Sequence, residues 1–227
     1  AAAPAAEAIG SSLKAEKDES VREQFVDALL AMGPTAKPAV VGLAPLLADA
    51  ASSLQLRLKV IDALIRTDPA SKDAAAALVQ AANDRDALIR KAAAGALARL
   101  NPLPDDARAS LVKMMKTDSN GSVQLAATRA LALAGPRAAA AKADLEAAAT
   151  GKLPAAAFWA KVALAGVNGD VTKASGTIRD GLKDRNGLVR AAAADALALV
   201  GPTTADVPAL MKISREPAAG AGEAAAR

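Results

Sequence analysis

The chain is 227 residues long, 52% hydrophobic and 23% charged, and its 28 Lys and Arg against 24 Asp and Glu leave a formal net charge of +4, an excess too mild to point to a polyanionic partner. It contains neither Cys nor His, which excludes disulfides, thiolate or imidazole metal ligands, a Cys nucleophile and the commonest general base. Aromatic residues make up 1% of it, so a core has to be built from Ala and aliphatic side chains, and no uncharged apolar run reaches the roughly 18 residues that cross a bilayer.

In chain order, Ala1-Ala2-Ala3-Pro4 lacks a charged leader segment. It suits a soluble chain that is either exported after signal cleavage or a trimmed cytoplasmic fragment, so the compartment stays open. Residues 5–15 read as the first helix of a pair, with Ile9 and Leu13 as apolar contacts and no cap ahead of them, as an N-terminal truncation would leave. Residues 19–32 read as its partner. Further pairs are predicted at 36–48 with 54–66, at 70–82 with 87–100, and at 104–116 with 121–134, where Pro104 suits a first-turn position and Asn120 a cap. Residues 138–149 with 155–167 form the least regular pair and hold Trp159 and Phe158. The pair 172–183 with 187–200 has Asn186 as its cap, a last helix follows at 205–214, and 216–227 reads as a flexible tail.

The second helices share one template. In the copy at 87–100, Ile89, Ala92, Ala93, Ala96, Leu97 and Leu100 fall on one helical face, Asp86 caps the start, and Asn101-Pro102 closes the end. The first apolar residue recurs as Val21, Leu56, Ile89, Val123, Ala156 and Val189, a spacing of about 33–35 residues that fits helical repeat arrays. Eight residues on stands Leu29, Leu64, Leu97, Leu131, Leu164 or Leu197. The terminating position reads Gly33, Asp68, Asn101, Gly135, Asn168 and Gly201, residue types that accept a positive φ most cheaply, and Pro follows five of them.

With Asp84 six residues ahead of Arg90 in Ile89-Arg90, and Asp184 likewise ahead of Arg190 in Val189-Arg190, the chain resembles the armadillo-like HEAT-repeat family, in particular the bacterial PBS-lyase-like form. Glu16 with Val21-Arg22 matches with Glu for Asp; Asp118 with Val123-Gln124 loses the Arg, Asp49 with Leu56-Arg57 is stretched, and Ala156-Ala157 has neither charge. The resemblance, over roughly residues 5–215, implies an all-α fold, an α-solenoid (αα-superhelix) of about six HEAT-like hairpins forming one domain over 1–215. In that family the Asp and Arg of successive turns form a polar ladder. The resemblance carries this structural role to Asp84, Arg90, Asp184 and Arg190, with Arg22 and Arg57 added.

Such an array presents its second helices on a concave surface, the default binding face. There the outward offsets supply Glu23, Asp27, Leu58, Asp62, Lys91, Leu125, Arg129, Phe158, Val162 and Asp195. Leu125, Phe158 and Val162 are the expected contact centre, flanked by Arg129, Leu58 and Asp62, because exposed apolar residues mark interfaces; a small register shift in the irregular repeat would instead bury Phe158 and expose Trp159, and core packing is the favoured reading for either ring. The expected function is a non-catalytic protein-interaction scaffold that binds another protein or a peptide, with no cofactor and no metal. The alternative is a grip on a nucleic-acid backbone, against which the interleaved charges and scarce rings argue. Lyase chemistry, which related repeats in phycobilin lyase subunits bring to mind, lacks a chromophore pocket here. The array also places Leu97 in mid-stack and Leu13 at an exposed end, where truncation is expected to cost less.

Overall fold

The computed structural model describes residues 2–49 and 51–214, so the tail expected at 216–227 lies outside the described residues. The chain runs α1 (Ala2–Ala15), α2 (Glu19–Met32), a 3-10 segment (Gly33–Ala39) leading into α3 (Val40–Ala48), α4 (Leu54–Thr67), α5 (Lys72–Ala81), α6 (Ala87–Leu97), α7 (Asp105–Thr117) and α8 (Gly121–Ala134). A second 3-10 segment (Gly135–Ala141) leads into α9 (Lys142–Ala148), followed by α10 (Pro154–Val167), α11 (Val171–Gly181), α12 (Gly187–Val200), a short 3-10 turn (Thr204–Asp206) and α13 (Val207–Ser214). There is no strand among the described residues. The fold is all-α, of the α-solenoid class, with each even-numbered helix the second member of a hairpin.

Local chemistry places the helix starts. The Asp18 carboxylate accepts from the amides of Ser20 and Val21, Ser53 from Leu56, Ser71 from Ala74, Asp86 from Leu88, Asn120 from Ser122, Asp170 from Lys173 and Asn186 from Leu188. Each takes up a first-turn donor that the helix itself cannot pair, and each contributes about 1 kcal/mol. Pro104 stands one position ahead of its predicted place, as the N-cap residue of α7.

The helix ends differ in detail from expectation. Among the described residues only glycines take a positive φ: Gly33 and Gly135 at 55°, Gly169 at 69° and Gly201 at 78°. Asn168 stays right-handed at φ −83° and passes the turn to Gly169, while Asp68 sits at φ −152°. α6 ends at Leu97 instead of residue 100, its last turn tightened by Arg99 N–H to Ala96 (2.9 Å) and Leu100 N–H to Leu97 (3.2 Å). The Asn101 amide then donates to the carbonyl of Pro69 at 3.0 Å, and the Asn101-Pro102 bond is cis.

The described residues fall into two compact units divided after Ala130, within α8. In the unit up to Ala130, first helices pack on first helices (α1 on α3, α3 on α5, α5 on α7) and second on second (α2 on α4, α4 on α6). Its core is aliphatic, with Leu29, Leu56, Leu64, Ile89, Leu97 and Leu111 fully buried. Burying each such side chain contributes about 1.5–3 kcal/mol. α1 and α3 cross at glycines: a Cβ on Gly42 would lie 2.8 Å from the Gly10 Cα, and one on Gly10 would lie 2.8 Å from the Ala39 Cα. Leu13, expected at an exposed end, is fully buried in this crossing region, because α1 packs along both the 3-10 segment and α3.

In the unit from Leu131 on, α10 packs on α9, α11 and α12, α11 on α12, and α13 on α12. Helical residues run without interruption from Glu19 to Ala48, and this stretch contains an 18-residue window of mean hydropathy 1.2, enough by length and composition to cross a membrane. The positive φ of Gly33 breaks that run into two helices, of which α2 packs on α4 and α3 on α1, α4 and α5.

Candidate functional site

The ladder residues lie at the turns between first and second helices, and the rungs join neighbouring repeats. Arg22 Nη1 donates to Asp49 Oδ2 at 3.1 Å, Arg57 Nη2 donates to Asp84 Oδ2, and Arg90 grips Asp118 with two bonds, Nε to Oδ2 at 2.7 Å and Nη2 to Oδ1 at 2.8 Å. Each arginine also ties down its own turn through a carbonyl: Arg22 to Glu16, Arg57 to Leu47, Arg90 to Asp84 and Arg85. Each aspartate holds a turn amide of its own, Ala51 for Asp49, Asp86 for Asp84 and Asn120 for Asp118. A rung therefore fixes the register of two hairpins and the shape of both turns.

Electrostatics follow the geometry. Arg90 holds the Asp118 carboxyl below the usual carboxylate value against the opposing pull of burial, and Asp118 raises Arg90 in return. At Asp84 burial is the largest influence and acts upward, but Arg57 and the Asp86 amide together outweigh it and the pKa falls. Asp49 is lowered, first by the Ala51 amide and then by Arg22.

Asp184 and Arg190 sit differently. Arg190 Nη1 donates to the carbonyls of Asp184 and Arg185, the local half of the pattern, and the Asp184 carboxylate accepts from the Asn186 amide at 2.7 Å. The two side chains do not form a rung with each other, because a rung runs from the arginine of one repeat to the aspartate of the next. Gln124 keeps the local bond, its Nε2 donating to the Asp118 carbonyl at 2.6 Å.

On the second-helix face of the first unit, charges are paired across repeats and within α4. Lys59 bridges Asp27 at 3.0 Å and Glu23 at 3.4 Å, and Asp27 is the main cause of the raised pKa of its ammonium. Asp62 lies 3.6 Å from both Arg66 and Arg99. Leu58, Leu125 and Arg129 are half-buried and Lys91 is exposed.

Phe158 and Val162, expected as exposed contact residues, belong to the core: they are 5% and 4% exposed, and Trp159 is 2% exposed. The cause is Gly181 on α11, where a Cβ would stand 2.5 Å from the Phe158 ring; the ring fills the space that a side chain there would need. Phe158 meets Trp159 edge to face at 6.0 Å between centroids.

Sequence reasoning assigned no role to Asp49, Lys59 or Asp118, nor to Asp206. Asp206 is buried, accepts from Arg179 Nε at 3.0 Å and from the Thr203 amide at 2.8 Å, and has its pKa lowered chiefly by that amide. The Thr203-x-x-Asp206 spacing of a capping box was the available signal. Among the described residues no group of three His, Cys, Asp or Glu is placed to hold a metal ion.

A family model described as HEAT repeats matches residues 41–132. No curated protein matches the chain in sequence. Among solved structures, the complex of CpcE and CpcF of phycocyanin lyase from a Nostoc species is similar with a TM-score of 0.64 at 19% identity, covering 90% of this chain and 80% of that one. An engineered protein is similar with a TM-score of 0.50 at 19% identity, covering 86% of this chain and 98% of its own. At such identities the likeness speaks to the fold.

Proposed function

We propose that the chain, whose residues 41–132 match the HEAT-repeat family model and whose fold is similar to that of the lyase complex, is a protein-interaction scaffold without catalytic activity of its own, whose partner docks on the face formed by the second helices. The observation that carries this reading is the row of α2, α4 and α6, packed side by side with most outward charges in ion pairs: Lys59 with Glu23 and Asp27 and Arg99 with Asp62 across repeats, and Arg66 with Asp62 within α4. A face of mixed and mutually satisfied charge, with Leu58 and Leu125 half-buried on it, suits a protein surface of mixed polarity. It suits a phosphate backbone poorly, since that would need unpaired cations in a stripe. Assembly of two proteins in the lyase complex of similar fold is in keeping with this role. Phe158 and Val162 drop out of the contact centre, leaving Leu58, Asp62, Leu125 and Arg129 as its residues.

The test is affinity capture from an extract of the source organism with wild type beside Leu58→Glu/Leu125→Glu, both first shown by circular dichroism to be helical, at about 0.15 M and about 1 M salt. The scaffold reading expects a protein that wild type retains at both salt concentrations and the folded double variant loses. Capture of nucleic acid alone, released by high salt, would replace it with the backbone-binding alternative.

A further inference from the structure

One junction of the ladder has an acceptor without a donor. Ala157 follows Ala156 as Arg22, Arg57 and Arg90 follow Val21, Leu56 and Ile89, and Asp184 precedes Val189 as Asp118 precedes Val123. By register, residue 157 is the one that should reach Asp184, and it is an alanine. Asp184 is nevertheless set up like Asp118: it caps its own turn through the Asn186 amide at 2.7 Å, as Asp118 does through Asn120 at 2.9 Å. Among the described residues no cation lies within ion-pair distance of Asp184.

The space is open as well. Where Arg90 spans to Asp118, the cleft at the junction measures about 290 Å³. Its counterpart beside Ala157 measures about 570 Å³, with Asp180, Asp184, Asn186 and Lys161 among its polar lining and Phe158 among its apolar lining. Two carboxylates against one ammonium leave the cleft a net single negative charge.

Resting on the scaffold reading, we propose that this cleft receives an arginine side chain presented by the partner protein, its guanidinium taking on Asp184 the place that Arg90 takes in cis on Asp118. A planar fork meets a carboxylate with two parallel bonds, which a lysine ammonium cannot do. Phe158 is among the apolar residues lining the cleft, and the methylene stem would lie against them.

The test is an amide NMR titration of the full chain with a blocked Gly-Arg-Gly tripeptide and with the same peptide carrying citrulline, which keeps the shape and removes the charge. The arginine peptide is expected to shift Gly151, Gly181 and Asn186 saturably with a Kd on the order of 1 mM, and the citrulline peptide to bind at least tenfold more weakly. Ala157→Arg, which supplies the rung in cis, is expected to abolish the shifts, and Asp184→Asn, an isosteric change at an exposed residue, to weaken binding at least tenfold. Equal shifts with both peptides, no shifts, or shifts unchanged in Asp184→Asn would overturn the inference. Partner capture that survives Ala157→Arg and Asp184→Asn, yet fails in Leu58→Glu/Leu125→Glu, would also overturn it while leaving the scaffold reading intact.

Discussion

Arg90→Gln isolates what a ladder rung contributes. The chain already contains the comparison, since Gln124 at the same place in its repeat keeps the bond to its own turn while it lacks the guanidinium fork. In wild type the Arg90 and Asp118 side chains are 13% and 6% exposed and joined by bonds of 2.7 and 2.8 Å. Breaking a fully buried pair by removing one partner costs about 3–5 kcal/mol, and losing an exposed one costs about 0–1 kcal/mol. This pair lies at the rim of a turn, and Asp118 keeps the Asn120 amide, so we expect Arg90→Gln to cost about 1–3 kcal/mol in urea unfolding followed by circular dichroism. A double-mutant cycle with Asp118→Asn should return a coupling of the same order, about 1–3 kcal/mol. The effect has a pH signature. Because the folded pKa of Asp118 is lowered, its contribution is present above the unfolded value, near about 4, and is lost as pH falls through the folded one. Wild type and Arg90→Gln should therefore differ most near neutrality and converge in acid. A gap that stays the same from pH 7 to below about pH 3, or a coupling near zero, would refute the rung as a stabilising device.

Other outcomes follow from packing. Gly42→Ala should destabilise severely, since the new Cβ meets the Gly10 backbone, with its carbonyl carbon at 2.7 Å, and two helix backbones would have to separate. Retained stability would place the α1–α3 crossing elsewhere. Gly181→Ala should cost about 1–3 kcal/mol by displacing Phe158, and the fluorescence of the neighbouring Trp159 reports that movement; an unchanged emission spectrum would contradict the account of why the ring is buried. Leu13→Ala and Leu97→Ala, both fully buried in the native chain, should each cost about 2–5 kcal/mol in chemical denaturation. A negligible cost at Leu13 would return α1 to the role of a frayed end.

The hairpins were legible because two local signals agree at most of them, a stripe of apolar residues at helical spacing and a capping side chain such as Asp86, Asn120 or Asn186; α9 and α10 have no such cap. Helix ends were less so. Asn101 and Asn168 can accept a left-handed backbone, but the structure uses only glycine for it, and nothing local tells Asn168 that Gly169 will take the turn. The ladder was half legible. Its arginines stood out within each repeat, but a rung crosses to the next repeat, so Asp118 was discounted because its own repeat carries Gln124, although its true partner is Arg90. Core packing of Phe158 was open from the irregular repeat, but the space it fills could not be read on α10 alone, because Gly181 on another helix creates it. Register within one helix sets which side a residue faces; whether that side is open depends on the size of residues far away in sequence.

The central claim is that the second-helix face binds a partner, and hydrogen exchange measured on the complex with the captured protein tests it most directly. The account predicts added protection along α2, α4, α6 and α8, centred near Leu58, Asp62, Leu125 and Arg129, with α3, α5 and α7 unchanged. Protection confined to α3, α5 and α7 would contradict it.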